Sequence, residues 1–203
     1  MTWLAGEGFA CPSTHGAFTS AAATAFVAVT AGRSRRARAL ITALLAAAVA
    51  LVGFSMGGGE VARYVGNHGE SRLRGVVFIS AIPPWLLKSD DNPDGGLDMA
   101  SARGLQDQLR EDREGFLDEF LTNFFTADGE LKVTGEQRRR ALALAAQADL
   151  GAAAAGIVLW TSSFADDVAR ITVPTLVVHG DGDAIVPFEV SGKRSHGQVA
   201  GSR

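Results

Sequence analysis

Ser55 is the residue of this chain whose surroundings most clearly favour chemistry. It lies at the centre of the pattern Gly-Phe-Ser-Met-Gly over residues 53–57, which is typical of a serine nucleophile on a tight strand-to-helix turn. On such a turn the hydroxyl points out of the sheet. The Met56 amide, at the positive end of the following helix, can then stabilise an oxygen that becomes negative during acyl transfer. Gly53 and Gly57 are expected to let the flanking backbone pass close to Ser55.

An acid that could support this serine comes near the end of the chain. A serine hydroxyl is a poor nucleophile near pH 7 and needs a base, which in turn needs a carboxylate to fix its tautomer. Asp183 follows a predicted buried strand over residues 171–178 and is the preferred acid. Asp181 is the rival, but it is nearer to the strand end, where its side chain would more naturally shape the turn.

The base is harder to find among the four histidines, which are His15, His68, His179 and His196. His179 stands at the end of the predicted strand, where a histidine is usually packed and hydrogen-bonded. His196 follows the acid but falls on a predicted helix instead of a loop. The four also lack the spacing of a ligand set, so no metal site is predicted.

The remaining pattern predicts an α/β protein with a helical insertion. Nearly continuous apolar runs predict buried parallel strands over residues 48–53, 75–80 and 171–178. Helices are predicted over residues 39–47, 60–67, 113–125, 135–146, 152–162 and 189–199, with an unstructured tail over 200–203. The phenylalanines of 113–125 form a helical stripe that favours core packing over a cofactor site. The helices between the second and third strands predict a cap over about 84–163.

Composition narrows the function classes. A chain of 203 residues is long enough for one domain, and its net charge of −3 gives no reason to expect nucleic acid or an anionic membrane as a partner. The single cysteine, Cys11, excludes an internal disulfide. We expect a cytoplasmic protein, and a homo-oligomer is compatible with this sequence.

The N-terminal quarter has an unusual composition, with no Asp or Glu from Gly8 to Gly59. Three interpretations stay open. The segment has the arginine and serine content of an organellar transit peptide. Arginines followed by an uncharged run over 33–54 resemble a signal anchor, although the run is marginal in length for a bilayer span. Alternatively, residues 1–38 are translated in a shifted reading frame.

Several motifs together resemble one family. Residues 39–199 are similar to the cofactor-free, or non-haem, chloroperoxidases of the α/β-hydrolase fold, which are often described as arylesterases. The segments that carry the resemblance are LVGFSMGGGEVARYVG, VVFISAIPP, LLKSDDNP, VPTLVVHGDGDAIVP and SGKRS. The resemblance implies an α/β-hydrolase parallel sheet whose helical cap covers an apolar pocket. It places the nucleophile on Ser55, an oxyanion amide on Met56 and the acid on Asp183.

The resemblance also implies a reaction, which is ester hydrolysis with a perhydrolysis branch. Ser55 would be acylated by a small acyl ester or carboxylic acid, hydrogen peroxide would release a peracid, and the peracid would oxidise halide in solution. The family needs no metal, haem or flavin. Its early HGW-type and DRRGHGRS-like segments have no match in residues 1–38, and its late G-x-P-H-G histidine has none before Arg203. We therefore expect a partial α/β-hydrolase domain over residues 39–203, incomplete at both ends, with impaired catalysis.

Two other functions are compatible with the sequence. One is a non-catalytic binding protein that keeps the cap pocket, and the other is a membrane-anchored protein that uses residues 33–54. A serine-reactive fluorophosphonate probe separates catalysis from binding, and membrane fractionation tests the anchor.

If the segment from about Ala10 to Arg38 is out of frame, the other two frames of the gene should encode the missing family motifs. Translation of those frames is expected to recover HGW-like and DRRGHGRS-like strings upstream of the predicted first strand. Their absence from both frames would contradict the hypothesis and favour a targeting peptide.

Overall fold

The computed structural model describes residues 49–203, so the predicted helix over 39–47 and the segment 1–38 lie outside the described residues. Within that range the sheet has three parallel strands, β1 (Val49–Phe54), β2 (Leu73–Ile79) and β5 (Thr175–Val178), in the spatial order β1-β2-β5. The three strands predicted from apolar runs are thereby confirmed. Parallel strands need a long connection that returns the chain to the same end of the sheet, and helices supply it between successive strands here.

The third strand is shorter than its predicted range of 171–178. Pro174 has no N–H to donate to a sheet ladder. The two residues before it instead donate their backbone N–H groups to the Glu70 carboxylate, from Thr172 at 2.7 Å and from Val173 at 3.2 Å. Regular pairing therefore begins at Thr175, and the Glu70 carboxylate anchors the segment that leads into the strand.

One face of the sheet is covered by helix α1 (Met56–His68) and by elements near the C-terminus. The core there combines residues of α1 and β2 with residues from the segments after β2 and on either side of β5. Its buried members are Val61, Ala62, Val65, Leu73, Val76, Phe78, Ala81, Val168, Ile171 and Val199. The alternate residues Val76 and Phe78 of β2 point into it, since successive side chains of a strand point to opposite faces.

The opposite face of the sheet is apolar and exposed. Two rows of register partners cross it, namely Val52–Val77–Leu176 and Phe54–Ile79–Val178. The outer members are substantially exposed, with 59% for Val52, 53% for Phe54, 45% for Leu176 and 47% for Val178.

The segment between β2 and β5 forms the cap. It contains helices α2 (Met99–Glu111), α3 (Arg113–Phe124), α4 (Gly135–Ala145) and α5 (Leu150–Leu159), with a hairpin of β3 (Thr126–Ala127) and β4 (Glu130–Leu131). The predictions of α3, α4 and α5 are confirmed within a few residues. Helix α2 and the hairpin were not predicted, because α2 has a sparse apolar stripe and two-residue strands are too short for a period.

The phenylalanine stripe of α3 packs, as its spacing indicated. The rings of Phe116, Phe120 and Phe124 stack in sequence at centroid distances of 5.8 and 6.2 Å, and Phe120 also stacks on Trp160 at 6.0 Å. Phe116 and Trp160 in turn pack against the cap core of Leu109, Ala154 and Ile157. The stripe thus connects the inside of the cap with the end of α3.

The C-terminal region differs from prediction in two places. The helix predicted over 189–199 is a 3₁₀ turn (Phe188–Val190) followed by helix α7 (Gly192–Gln198), with non-helical dihedral angles at Ser191 between them. A short helix α6 (Ala165–Val168) precedes β5. The tail predicted to be unstructured pairs with the sheet, since Arg203 donates to the Thr175 carbonyl and accepts from the Val177 N–H. That prediction was wrong because β5 offers unpaired backbone groups on its outer side.

Among residues 49–203, no single helix has the length and apolarity for a bilayer span, and helices α4 and α5 meet those criteria only as a pair bent by 103°. The last six residues of the stretch considered as an anchor, Val49–Phe54, form strand β1.

Three glycines determine how closely α1 approaches its neighbours. A Cβ added at Gly53 would lie 2.5 Å from the Cα of Gly58, and one at Gly58 would lie 2.4 Å from the Cβ of Ala81. A Cβ at Gly59 would lie 2.5 Å from the Phe164 ring. At Gly57 no described atom lies within 4 Å of the added Cβ, so the crowding expected there is found at Gly58 instead.

Substitution of the adjacent residues Gly57 and Gly58 should separate the effect of steric crowding on stability from the effect of helix propensity. Gly58→Ala is expected to lower the free energy of unfolding by about 1–3 kcal/mol, because the new methyl overlaps Ala81. Gly57→Ala should be neutral or stabilising by up to about 1 kcal/mol, since the site is open and alanine favours a helix. Urea denaturation of both variants measures the difference. Equal destabilisation by the two substitutions would contradict the assignment.

The Glu70 anchor should make stability depend on pH. Partial burial raises the pKa of Glu70, but hydrogen bonds from the Thr172 hydroxyl and from the N–H groups of Thr172 and Val173 lower it, and the net pKa is below its ordinary value. A lowered folded-state pKa contributes stability above the ordinary glutamate range, and this is lost as pH falls through the folded value.

Glu70→Gln should therefore destabilise the protein near neutral pH by up to about 1 kcal/mol, after allowance for solvent screening. The difference from the parent should shrink in acid, where both side chains are neutral. Denaturant melts across the pH range measure it, with exposed Glu119→Gln as the control. If the stability difference between Glu70→Gln and the parent grew as pH fell, the stabilising role of the ionised Glu70 carboxylate would be contradicted.

Candidate active site

Ser55 occupies the turn between β1 and α1, as the sequence pattern indicated. Its backbone has φ 51° and ψ −122°, a left-handed conformation that is uncommon for serine and costs about 1–3 kcal/mol. Neighbouring backbone groups hold it there. The Ser55 N–H donates to the Ile79 carbonyl at 3.0 Å, and the Ser55 carbonyl accepts from Gly58 at 3.0 Å and from Ile82 at 3.2 Å. The end of β2 thus fixes the strained turn.

Met56 is the first residue of helix α1. The N–H groups of a helix's first turn have no acceptor within the helix, and the helix dipole adds positive potential at this end. This position is compatible with the expected role of the Met56 amide as a donor to an oxyanion. The side chain of Met56 packs against a second small core of Ile82, Leu86 and Val186.

Asp183 lies in the loop that follows β5, and its carboxylate is held by that loop. Its Oδ1 atom accepts from the backbone N–H of Ile185 at 3.0 Å and of Val186 at 2.9 Å. Its side chain is 18% exposed, whereas the rival Asp181 is an exposed residue of the same loop. The geometry therefore distinguishes Asp183 as the positioned carboxylate.

Ser55 and Asp183 line the same cavity, whose volume is about 390 Å³. They line one cavity because the carboxyl ends of parallel strands lie at the same edge of a sheet. The serine strand β1 and the acid strand β5 are not neighbours in the sheet, because β2 lies between them.

Ser80, at the end of the intervening strand β2, also lines this cavity and was missed by the sequence reasoning. It has φ 40°, and its N–H donates to the Val178 carbonyl at 2.8 Å. A left-handed serine at the end of a central parallel strand is a strained feature of the kind that clusters at functional sites. The available signal was a serine as the last residue of the predicted strand over 75–80.

Three aromatic side chains, those of Phe54, Phe124 and Phe125, form one part of the cavity wall. Phe54 meets Phe124 edge-to-face at 6.2 Å, and Phe124 meets Phe125 in the same way at 5.0 Å. Ile185 and Val186 line the acid side. These side chains suit a small apolar group, and the end of the α3 stripe serves both as packing and as cavity wall.

Charged side chains from the β3–β4 hairpin region and from the loop after β5, here called the acid loop, also line the cavity. They are Asp128, Lys132, Asp181 and Asp183, and Lys132 Nζ pairs with Glu130 Oε2 at 3.1 Å. Among residues 49–203, no group of three or more His, Cys, Asp or Glu side chains is arranged to hold a metal ion.

None of the described histidines lines the cavity. His196 is exposed, with its Nδ1 2.8 Å from the Ser202 hydroxyl. His68 lies at the far end of α1, against the ring of Tyr64. The side chain of His179 is 1% exposed, and its Nε2 lies 2.7 Å from the Val186 carbonyl oxygen. His15 lies outside the described residues.

Comparison with known proteins agrees with this architecture. A model of the α/β hydrolase fold family matches residues 30–194. The chain is 39% identical over 158 residues to a non-haem chloroperoxidase of Kitasatospora aureofaciens, over 77% of this chain and 57% of that protein. It is 37% identical over 150 residues to a bifunctional esterase/perhydrolase of Acinetobacter calcoaceticus, over 71% of this chain and 53% of that protein. The chain thus spans a little over half the length of these relatives.

Solved structures give the same picture. A bromoperoxidase from Bacillus anthracis has a TM-score of 0.74 at 42% identity, covering 81% of this chain and 60% of that one. An esterase from Exiguobacterium antarcticum has a TM-score of 0.71 at 29% identity, with coverage of 81% and 59%. The family match, the sequence identities and the parallel sheet with its serine turn together show that this chain belongs to the α/β-hydrolase fold family, among proteins similar to the non-haem haloperoxidases.

Proposed function

We propose that this chain is a serine-dependent hydrolase of small acyl esters with a perhydrolysis branch, and that its 203 residues alone support only impaired catalysis. The observation that carries the proposal is that Ser55, on its strained turn, lines one cavity with the loop-held carboxylate of Asp183. Relatives described as a chloroperoxidase and an esterase/perhydrolase support the reaction class.

In the proposed acylation step, the Ser55 hydroxyl attacks the carbonyl carbon of the ester. A base takes the hydroxyl proton, and the carbonyl oxygen becomes negative beside the Met56 N–H and the positive end of α1. Collapse of this intermediate expels the alcohol, which takes up the proton, and leaves the acyl group on Ser55. The aromatic wall formed by Phe54, Phe124 and Phe125 would hold the acyl or aryl group.

In the second step a small nucleophile removes the acyl group. Water gives a carboxylic acid, and hydrogen peroxide gives a peracid; both return the proton to Ser55. A released peracid transfers one oxygen atom to a halide ion in solution and becomes the carboxylic acid. These steps require an acyl donor and a water or peroxide molecule small enough to enter the cavity, together with a base that takes the Ser55 proton.

The limiting element is the base. Triad members act as a unit, and loss of one costs about 10⁴–10⁶ in rate. None of His68, His179 and His196 lines the cavity with Ser55, so slow acylation is expected. Free imidazole is a neutral base of the same chemistry, and the cavity of about 390 Å³ is large enough to admit it.

The lack of a described histidine in the cavity lining also favours a second candidate, a binding protein that keeps the apolar cavity without catalysing a reaction. Such a protein would bind a short aryl acid but would leave Ser55 unmodified by an acylating or phosphonylating reagent.

A fluorophosphonate probe and a short aryl ester test the proposal on the full 203-residue chain. Alone, the chain should hydrolyse the ester near background, and Ser55→Ala should lower that rate little further. Added imidazole should raise both ester hydrolysis and probe labelling several-fold, because it accepts the serine proton. Peptide mass mapping should locate the label on Ser55.

Two variants control this experiment. In Ser55→Ala only the hydrolysis by imidazole itself should remain, so the difference between the parent and this variant measures the Ser55-dependent increment. Ser80→Ala, which changes the other left-handed serine of the cavity, should retain it. Ligand binding with no labelling of Ser55 would instead support the binding protein. Fast Ser55-dependent turnover without imidazole would show that the chain has its own base, and His196→Ala would be the next variant.

We also propose a cytoplasmic location without a membrane anchor, and membrane fractionation of the expressed chain tests this. Light scattering of the purified chain tests the proposed capacity to form a homo-oligomer.

A further inference from the structure

His179 is a buried titratable side chain next to the cavity, although it does not line it. It follows β5 directly, its side chain is 1% exposed, and its ring lies 5.8 Å from that of Phe188. Helix α7 closes the other side, where a Cβ added at Gly192 would lie 2.7 Å from the His179 Nδ1 atom. The end of β5, the 3₁₀ turn and the start of α7 therefore surround the imidazole. A side chain at position 192 would overlap the ring, so only glycine fits there.

The two ring nitrogens of His179 have different environments. Nε2 lies 2.7 Å from the carbonyl oxygen of Val186, whereas Nδ1 is buried with no hydrogen-bond partner among the described residues. A carbonyl oxygen only accepts, so Nε2 must carry the proton that it donates. The Oδ2 atom of Asp183 is 3.6 Å from Nε2, which is beyond hydrogen-bond distance. The Val186 carbonyl is therefore the partner, and the tautomer with its proton on Nε2 is the form that fits.

Val186 connects this histidine to the acid. Its carbonyl accepts from His179, and its N–H donates to Asp183 Oδ1 at 2.9 Å. The Ile185 N–H donates to the same oxygen at 3.0 Å. Residues 185 and 186 therefore donate two N–H groups to the Asp183 carboxylate, and the Val186 carbonyl accepts one hydrogen bond from the imidazole. If the Val186 carbonyl lost that hydrogen bond, both N–H donors to Asp183 would be held less firmly.

We propose that His179 is a positioning residue for Asp183, acting through Val186: its Nε2–H fixes the 183–186 turn and so aims the carboxylate at the cavity. This inference rests on the proposed function, because it concerns the acid of that site. It assigns His179 no contact with substrate and no part in proton transfer from Ser55.

Two measurements on the full chain test the inference without substrate. Nitrogen-15 NMR of the imidazole should show the Nε2–H tautomer. Hydrogen exchange should show protected amides at Ile185 and Val186, as donors to Asp183. In His179→Leu, which fills the site with an apolar side chain and removes the donor, these two amides should exchange about tenfold faster, as expected when one hydrogen bond is lost. The sheet amides of Val76 and Ser80 should be unchanged.

Matched variants separate positioning from packing. His179→Gln places an amide N–H at similar reach and should restore protection at Ile185 and Val186. Phe188→Leu removes the ring contact while leaving the donor, so it should keep that protection even if the melting temperature falls. If His179→Leu does not fold, the tautomer and the protection in His179→Gln decide the question.

Three results would overturn the inference. They are an Nδ1–H tautomer, unchanged exchange at Ile185 and Val186 in a folded His179→Leu, or an equal acceleration at the sheet amides. The outcome is independent of catalysis. Failure of the fluorophosphonate to label Ser55 would remove the proposed function while the tautomer and the exchange rates still report the link to Asp183. Intact labelling with no effect of His179→Leu would remove this inference alone.

Discussion

The close approach of helix α1 to strands β1 and β2 is the constraint on which the rest of the site depends. The helix can begin immediately after β1 because Gly53 and Gly58 leave no side chain between the two backbones, and Gly58 also makes room for Ala81. That contact forces Ser55 into a left-handed conformation, which the Ile79 carbonyl and the Ile82 N–H then hold. The strain of about 1–3 kcal/mol is offset by packing of α1 on the sheet.

The parallel sheet converts this local turn into a shared site. All three strands end at one edge, so the residues after them converge there: Ser55 after β1, Ser80 after β2 and the acid loop after β5. The cap adds the aromatic wall through Phe124 and Phe125, at the end of the α3 stripe. The cavity therefore combines a rigid floor of strand ends with a wall supplied by the insertion.

The acid side of the site is organised by backbone hydrogen bonds more than by charge. Asp183 accepts two N–H groups of its own loop, and the loop is backed by the buried imidazole of His179. Of the histidines in residues 49–203, His179 is buried beside Val186 and the other two, His68 and His196, are exposed; none of the three shares the cavity with Ser55. The carboxylate is held in place before any base approaches it, which is the arrangement that preorganised catalysis requires.

The sequence by itself determined the features that depend on neighbouring residues. The Gly-Phe-Ser-Met-Gly turn, the apolar runs of β1 and β2, and the stripe of α3 could be predicted because a period or a turn motif lies within a few residues. Only the tertiary structure decided which residues meet. It inserted β2 between the serine and acid strands, brought Ser80 into the cavity, moved the crowding from Gly57 to Gly58, and paired Arg203 with β5. These outcomes depend on contacts between segments far apart in the chain, which local spacing does not encode.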